Sequence, residues 1–420
     1  MSPNEPPEAA AAPPLLDRGD VRVRHAEGVG GTLAAFFSRV RTGDLGSLPV
    51  IVGLLIIWTV FTSLNPIFLS PDNLVNLLFD CSTTGVIALG IVCVLMVGQI
   101  DLSVGSMSGF ASALVGVLWV NEGWPLAAAI VVALAAGGLI GALYALLFNR
   151  LGMPSFVATL AGLLAILGLQ LYLLGSSGSI NLPYDSPMVN FGQLMVLPPL
   201  ASCLLALVPG AVMVLAGLRT RARRRAVNLS APSVASLVVR ALALTVLLEG
   251  VVAYLNSGRG VPWMFAVFVA LAVVMNYALR RTRWGRSMHA VGGNREAARR
   301  AGINVDRIFT SAFVLCAAMA ALGGVLSAAR LASASQQAGT GDVNLNAIAA
   351  AVIGGTSLFG GRGNAYSAVL GIIVIQSIAS GLTLLNLSSS LRFMITGAVL
   401  AIAVIVDSLA RRSRMSHGRS

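Results

Sequence analysis

The residues most able to do chemistry in this chain are acids set inside apolar sequence. An Asp at mid-membrane costs about 2.5–3.5 kcal/mol on insertion scales, so such a residue is kept for a reason. Asp101 lies in Gly98-Gln-Ile-Asp-Leu-Ser-Val-Gly-Ser106, a polar, glycine-flanked break in an apolar stretch running from about residue 82 to 120. It must face a protein interior, an aqueous cavity or a helix end, and with Ser103 it could equally cap the helix that follows. A second break, Gly354-Gly-Thr-Ser-Leu-Phe-Gly-Gly-Arg-Gly-Asn364, lies near the other end of the chain. Glycine-interrupted apolar segments in corresponding positions of two halves point to a transport pathway of discontinuous helices. Asp101, Ser103, Gly354, Gly355 and Thr356 are therefore path or gate candidates. The strings GFASALVG (109–116) and NAYSAVLG (364–371) echo each other at the same offset after the two breaks. Glu249, near the middle of its run, could carry a coupling ion or pair with Arg240, Arg259 or another helix. Asp80 is expected at the outer membrane boundary, and Asp407 at i, i+4 from Arg411.

A different chemistry is suggested by Gly293-Asn-Arg-Glu-Ala-Ala-Arg-Arg-Ala-Gly-Ile303, a charged string between two long apolar runs. Asn294 suits an N-cap, Glu296 the positive end of a helix, Arg299 and Arg300 the negative end, and Gly302 a C-terminal stop. Residues 295–301 then form about two turns, roughly 10 Å long and marginal alone in water. Neighbours or a partner must hold them. A face of Ala297, Ala298 and Ala301 suits close protein docking better than burial in a membrane surface, which favours bulky Leu or Trp.

Other chemistries are excluded by composition. All 28 basic residues are arginine and no lysine occurs. There is thus no Walker A lysine and no Schiff-base lysine, and any nucleotide must be bound by another chain. The four cysteines, Cys81, Cys93, Cys203 and Cys316, stand singly in apolar runs and read as small core residues. His25, His289 and His417 lie far apart, so no metal constellation and no cofactor site is expected.

The elements that would position these residues are membrane helices. The 420 residues are 56% hydrophobic and 10% charged, against about 25% charged in soluble domains. Apolar runs of roughly 17–25 residues match helices crossing about 30 Å of hydrocarbon, not barrel strands of about 10. Twelve candidate segments fall near 48–68, 79–98, 102–120, 124–148, 155–175, 197–218, 236–255, 261–279, 309–331, 343–359, 364–385 and 390–409. Whether 102–120 and 343–359 cross fully or re-enter stays open, giving about 10–12 helices in an all-α, polytopic transmembrane bundle. Residues 1–46, rich in Pro and Ala and then dotted with Arg, read as a disordered cytoplasmic tail, 47–412 as the transmembrane domain and 413–420 as a second tail. Alternating the spans from an inside N-terminus leaves only Arg259, Arg330 and Arg392 outside, the positive-inside pattern, with both termini and the loop 280–308 cytoplasmic.

The string GRSMHAVGGNREAARRAGINVDR (285–307) resembles the coupling loop of ABC importer permeases of the monosaccharide, ribose/xylose-type branch. IDLSVGS (100–106), PSFVATLAG (154–162) and AIAAAVIGGTSLFGG (347–361) are similar to that branch too, and the likeness runs from about residue 50 to 412. RTRARRR (219–225), LSAPS (229–233) and RGVP (259–262) bring it closest to the D-xylose members. Gln99, Arg362 and Asn364 depart from the pattern. The resemblance implies a type II-like permease in a bacterial inner membrane, two copies of which form the pathway for a monosaccharide, with a pentose such as xylose the first choice. It further implies a separate ABC ATPase subunit that receives the 294–302 helix and an extracytoplasmic sugar-binding protein that delivers substrate. On that reading the chain is no enzyme itself, and Asn294, Glu296, Ala297, Ala298, Arg299, Arg300 and Gly302 couple it to the ATPase.

Overall fold

The computed structural model describes residues 48–231, 233–388, 390, 391, 394–398 and 401. The expected tails, Arg392, the Asp407–Arg411 pair and most of the 390–409 span lie outside the described residues. The helices are α1 (Leu48–Leu64), α2 (Pro71–Met96), α3 (Val104–Gly116, continued by a π-helical turn at Val117–Asn121), α4 (Leu126–Leu151) and α5 (Ser155–Leu174). Strand β1 (Ser179–Asn181) precedes α6 (Pro187–Gln193), α7 (Pro199–Ala226), α8 (Val234–Asn256), α9 (Trp263–Arg281), α10 (Arg283–Gly293), α11 (Arg295–Arg300) and α12 (Val305–Leu331). Strand β2 (Ser333–Ser335), α13 (Val343–Ile353) and α14 (Ala365–Leu384) follow. Among the described residues, nine helices are long and apolar enough to cross a membrane. The fold is a polytopic helical bundle with one short antiparallel ribbon, in which Ile180 stands opposite Ala334.

Two points left open by the sequence are decided by the fold. The run 343–359 is not a full span: α13 has eleven residues, about 16 Å of helix, and ends at Gly354. The echo of 109–116 in 364–371 is not a structural repeat either, because Asn364 is the N-cap of α14 whereas Gly109 sits in the second turn of α3.

The chain divides into two compact units, one of residues 198–254 and one of the remaining described residues. In the first, α7 and α8 form a hairpin in which Gly217 would bring a side chain against Leu237, and the Arg224 Nε–H donates to Ser230 O at 2.6 Å. Glu249 meets the Cys203 thiol of α7. Its suggested partner Arg259 instead donates to Asn76 Oδ1 at 3.2 Å and to Gln193 O.

The larger unit is organised around α12, which packs on α2, α3 and α4. Lipid tails are as apolar as leucine, so helices associate through close packing and small residues rather than hydrophobicity. Gly137 and Gly141 of α4 face α12, where a Cβ on Gly137 would stand 2.8 Å from Ala317 O and one on Gly141 would overlap Phe313 O. The backbones can touch only because those side chains are missing. The α2 apolar window is 83% buried inside the bundle, so it is an inner helix, whereas α4 and α5 at 22% and 28% line the outside.

Candidate functional site

Both breaks and the charged string are built by the same terminator. A helix that ends with one left-handed residue can satisfy its last carbonyls through a 6→1 and a 5→2 hydrogen bond, a turn that favours glycine. At the first break α2 stops this way: Gly98 has φ +72°, its N–H bonds Leu95 O at 2.8 Å, and Gln99 N–H bonds Val94 O at 3.0 Å. At the second, Gly355 (φ +104°) bonds Val352 O at 2.9 Å and Thr356 N–H bonds Ala351 O at 3.0 Å, closing α13. In the charged string Gly302 (φ +82°) bonds Arg299 O at 3.0 Å and Ile303 N–H bonds Ala298 O at 3.1 Å. Three glycines singled out by sequence thus have one backbone task.

The acid of the first break is buried. Asp101 is 1% exposed, and its Oδ1 accepts the Ser103 N–H at 2.8 Å and the Ser103 hydroxyl at 2.7 Å. Ser103 is the N-cap residue of α3, but its side chain bonds Asp101 rather than the helix amides. The Cys316 thiol lies against the same carboxyl, whose Oδ2, like the nearby Tyr144 hydroxyl, has no hydrogen-bond partner among the described residues. Asp101 therefore holds an extended turn inside the protein through Oδ1. Thr356 is equally buried, with no hydrogen-bond partner for its hydroxyl, and Gly354 packs so tightly on Ser367 O that no side chain fits.

What ties the first break to the start of α13 was not legible in sequence. Asn344, one residue into α13, accepts the Gly105 N–H at 2.6 Å and donates to Leu102 O at 2.5 Å. The polar segment 336–342 between β2 and α13 packs on α3, where Gly105 and Gly109 leave room for Gly339 O and Ala338 O. Gln170 of α5 donates to Ser335 O at 2.9 Å and to Ala338 O at 3.0 Å, tying that segment down from the other side.

The charged string forms α11 as read. Asn294 is the N-cap, its Oδ1 accepting the Ala297 N–H at 2.9 Å, and Glu296 pairs with Arg299 at 3.3 Å on the exposed side. The chain itself holds this helix: Arg295 lies over the rings of Phe309 and Phe148 at 5.1 and 5.7 Å, and Trp284 Nε1–H donates to Ser311 Oγ at 2.8 Å. Ala298 turns inward and is 4% exposed, while Glu296, Ala297, Arg299, Arg300, Ala301 and Gly302 are exposed. The alanine face is thus split, with Ala298 spent on anchoring the helix.

The residues just before α11 touch both breaks. Gly361 N–H donates to Met96 O at 2.8 Å, joining the second break to the end of α2. Gly292 lies against that bond, where a Cβ would overlap Met96 O and stand 2.5 Å from Gly361 N. A Cβ on Gly360 would meet Gly292 O at 2.8 Å and Gly98 N at 2.9 Å. Three segments, 96–98, 292–293 and 360–361, meet backbone to backbone with no side chain between them.

A short helix locked onto two interrupted membrane segments is a transporter's arrangement, and the comparisons agree. Residues 73–404 match the family model described as branched-chain amino acid transport system / permease component. The chain belongs to this permease family. It is 34% identical over 377 residues to the xylose transport system permease protein of Escherichia coli K12, covering 90% of this chain and 95% of the relative. It is 33% identical over 341 residues to the corresponding Haemophilus influenzae protein (81% and 90%) and 30% identical over 358 residues to the ribose import permease protein of E. coli K12 (85% and 92%). No solved structure matches it. The permease is a multi-pass membrane protein, and among the described residues no group of His, Cys, Asp or Glu could hold a metal ion.

Proposed function

We propose that the chain is the membrane-spanning permease subunit of an ATP-driven ABC importer for a monosaccharide, a pentose such as xylose first among them. The named relatives support the substrate class, since both xylose and ribose permeases align over more than four-fifths of this chain. The observation that carries the coupling is the pre-folded α11, exposed on Glu296, Ala297, Arg299 and Arg300 and joined through Gly292 to the ends of both broken segments. An ATPase subunit receives that exposed face. Closure of the ATPase on ATP moves α10 and α11, and the backbone junction passes the movement to α2 and to the 354–364 break. A sugar-binding protein delivers substrate at the opposite end, a second copy of the chain completes the pathway, and the chain contributes no catalytic group. The junction end is the cytoplasmic one, with both termini on that side.

The test is recovery of the tagged, detergent-solubilised protein from its own cells, with and without replacement of Asn294–Gly302 by a flexible linker. A nucleotide-binding subunit that accompanies the native chain and is lost with the replacement supports docking at α11. Equal recovery from both refutes it.

A further inference from the structure

The buried breaks leave open where a sugar touches this permease, and a different set of side chains meets that need. On α2, Asn73, Asn76, Asp80 and Thr83 recur at spacings of three and four, so they share one helix face. All four are half-buried on a helix whose apolar window is otherwise 83% buried. Asp80 stands nine residues into α2 and sixteen before Met96, about 24 Å from the junction end. Its Oδ1 accepts the Arg330 Nε–H at 2.8 Å, yet its side chain is 47% exposed and that of Arg330 19%. From α14, Gln376 donates to Asp80 O at 3.3 Å.

The platform beneath is rigid. The Phe79 ring is fully buried, with the guanidinium carbon of Arg330 at 5.1 Å from its centroid and that of Arg259 at 5.6 Å. Asn76 Oδ1 accepts from both arginines, at 3.3 and 3.2 Å. The half-exposed Asp80 carboxylate, paired with Arg330, suits an aqueous or protein-lined face rather than acyl chains, since acids in membrane helices face the bundle interior or a water-filled cavity. The face opens on water or on a polar ligand.

The chemistry selects the ligand. Within a few ångströms lie a carboxylate that only accepts, guanidiniums that only donate, and two amides that do both. Each hydroxyl of a sugar ring donates once and accepts twice, so a neutral polyol can satisfy the whole set. An anion would meet the Asp80 carboxylate, and a cation the two arginines.

We infer that Asn76, Asp80, Gln376 and Arg330 form a monosaccharide-contact site, on the side of the permease away from α11, with Phe79 and Arg259 as its support. The inference rests on the importer reading and adds the residues that hold the sugar. The site is shallow and partly wet, as a transit site must be to release what it binds.

The test uses the whole transporter, permease with its ATPase and binding protein, in proteoliposomes. Asp80→Asn should lower D-xylose taken up per ATP hydrolysed by about tenfold, the effect of losing one hydrogen bond to a charged group, and Gln376→Ala by about fivefold, the effect of losing a neutral one. A second measurement does not depend on how those variants fold: Gln376→Cys is labelled by a small water-soluble thiol reagent with and without saturating D-xylose. Labelling slowed by D-xylose supports the site. Labelling indifferent to D-xylose overturns it, as does a Gln376→Cys protein that never labels, since the face is then covered by a second copy. Uptake per ATP unchanged in both variants overturns it too. Native vesicles with no ATP-dependent uptake of any sugar would overturn the importer reading, and the labelling result would still decide the site.

Discussion

Replacing Gly292 by alanine tests the backbone junction in a graded way. The added Cβ would overlap Met96 O and approach Gly361 N to 2.5 Å, whereas ordinary contact begins at 3.4 Å. The neighbouring segments must therefore retreat by about 1–1.5 Å, and a close-packed site does not absorb such a shift freely. The retreat stretches or breaks the 2.8 Å bond from Gly361 N–H to Met96 O. A lost bond that leaves its donor buried costs about 1–3 kcal/mol, and overpacking about 1–3 kcal/mol more. Even the lower sum, about 2 kcal/mol, shifts the joined arrangement about 30-fold relative to a separated one. Gly293 supplies the control: it is the next residue, and a Cβ there meets nothing within 4 Å. The assay is sugar uptake and ATP hydrolysis in vesicles carrying the assembled transporter. Gly292→Ala should recover the ATPase subunit yet lose about tenfold or more of its uptake, while Gly293→Ala stays within about twofold of the native protein. Gly292→Ala uptake equal to that of Gly293→Ala would refute the argument that the junction transmits movement.

Three further outcomes follow from the geometry. Gly302→Leu gains no clash but must hold φ +82°, a cost of about 1–2 kcal/mol, so coupling of hydrolysis to uptake should fall while membrane insertion is kept, with Gly302→Asn in between. Arg299→Ala removes only an exposed i, i+3 pair of a few tenths of a kcal/mol, so thermal melting should stay unchanged while recovery of the ATPase drops. Gly141→Ala should lower the melting temperature in detergent by several degrees through overlap with Phe313 O, whereas Gly138→Ala, whose Cβ would lie 3.9 Å from Val314, should leave it nearly unchanged.

What could be read from the sequence was local. Asn294, Glu296 and Gly302 act within one helix, so their types announce its start, polarity and end before any packing is known. The two breaks were equally visible, because glycine and a lone Asp are out of place in apolar runs. Their outcome was not, because it depends on partners far away in the chain. The cost of Asp101 leaves an interior, a cavity or a helix end open, and only the fold shows it buried with Oδ1 on the Ser103 N–H and hydroxyl. Asn344 ties the start of α13 to the first break over 239 positions, a pairing no periodicity encodes. Residues 336–342 are polar, and only the glycines of α3 explain how Ala338 and Gly339 come to lie against that helix. Ala298 could not be told from Ala297, since their different fates depend on what α12 and Phe148 present to α11. Arg330 stands out in sequence only for breaking the charge rule, and Arg259 also as a partner offered to Glu249, whereas Phe79 receives both guanidiniums and Asp80 pairs with Arg330.

The central claim is that this chain moves a sugar on ATP supplied by a partner. The most direct measurement is D-xylose uptake into proteoliposomes containing the purified permease, its ATPase and its binding protein, with all ion gradients collapsed by ionophores. The account predicts uptake that requires enclosed ATP and both partners and that ignores the ionophores. Uptake by the isolated chain, driven by an ion gradient and indifferent to ATP, would contradict it and return attention to Asp101 and Glu249 as ion carriers.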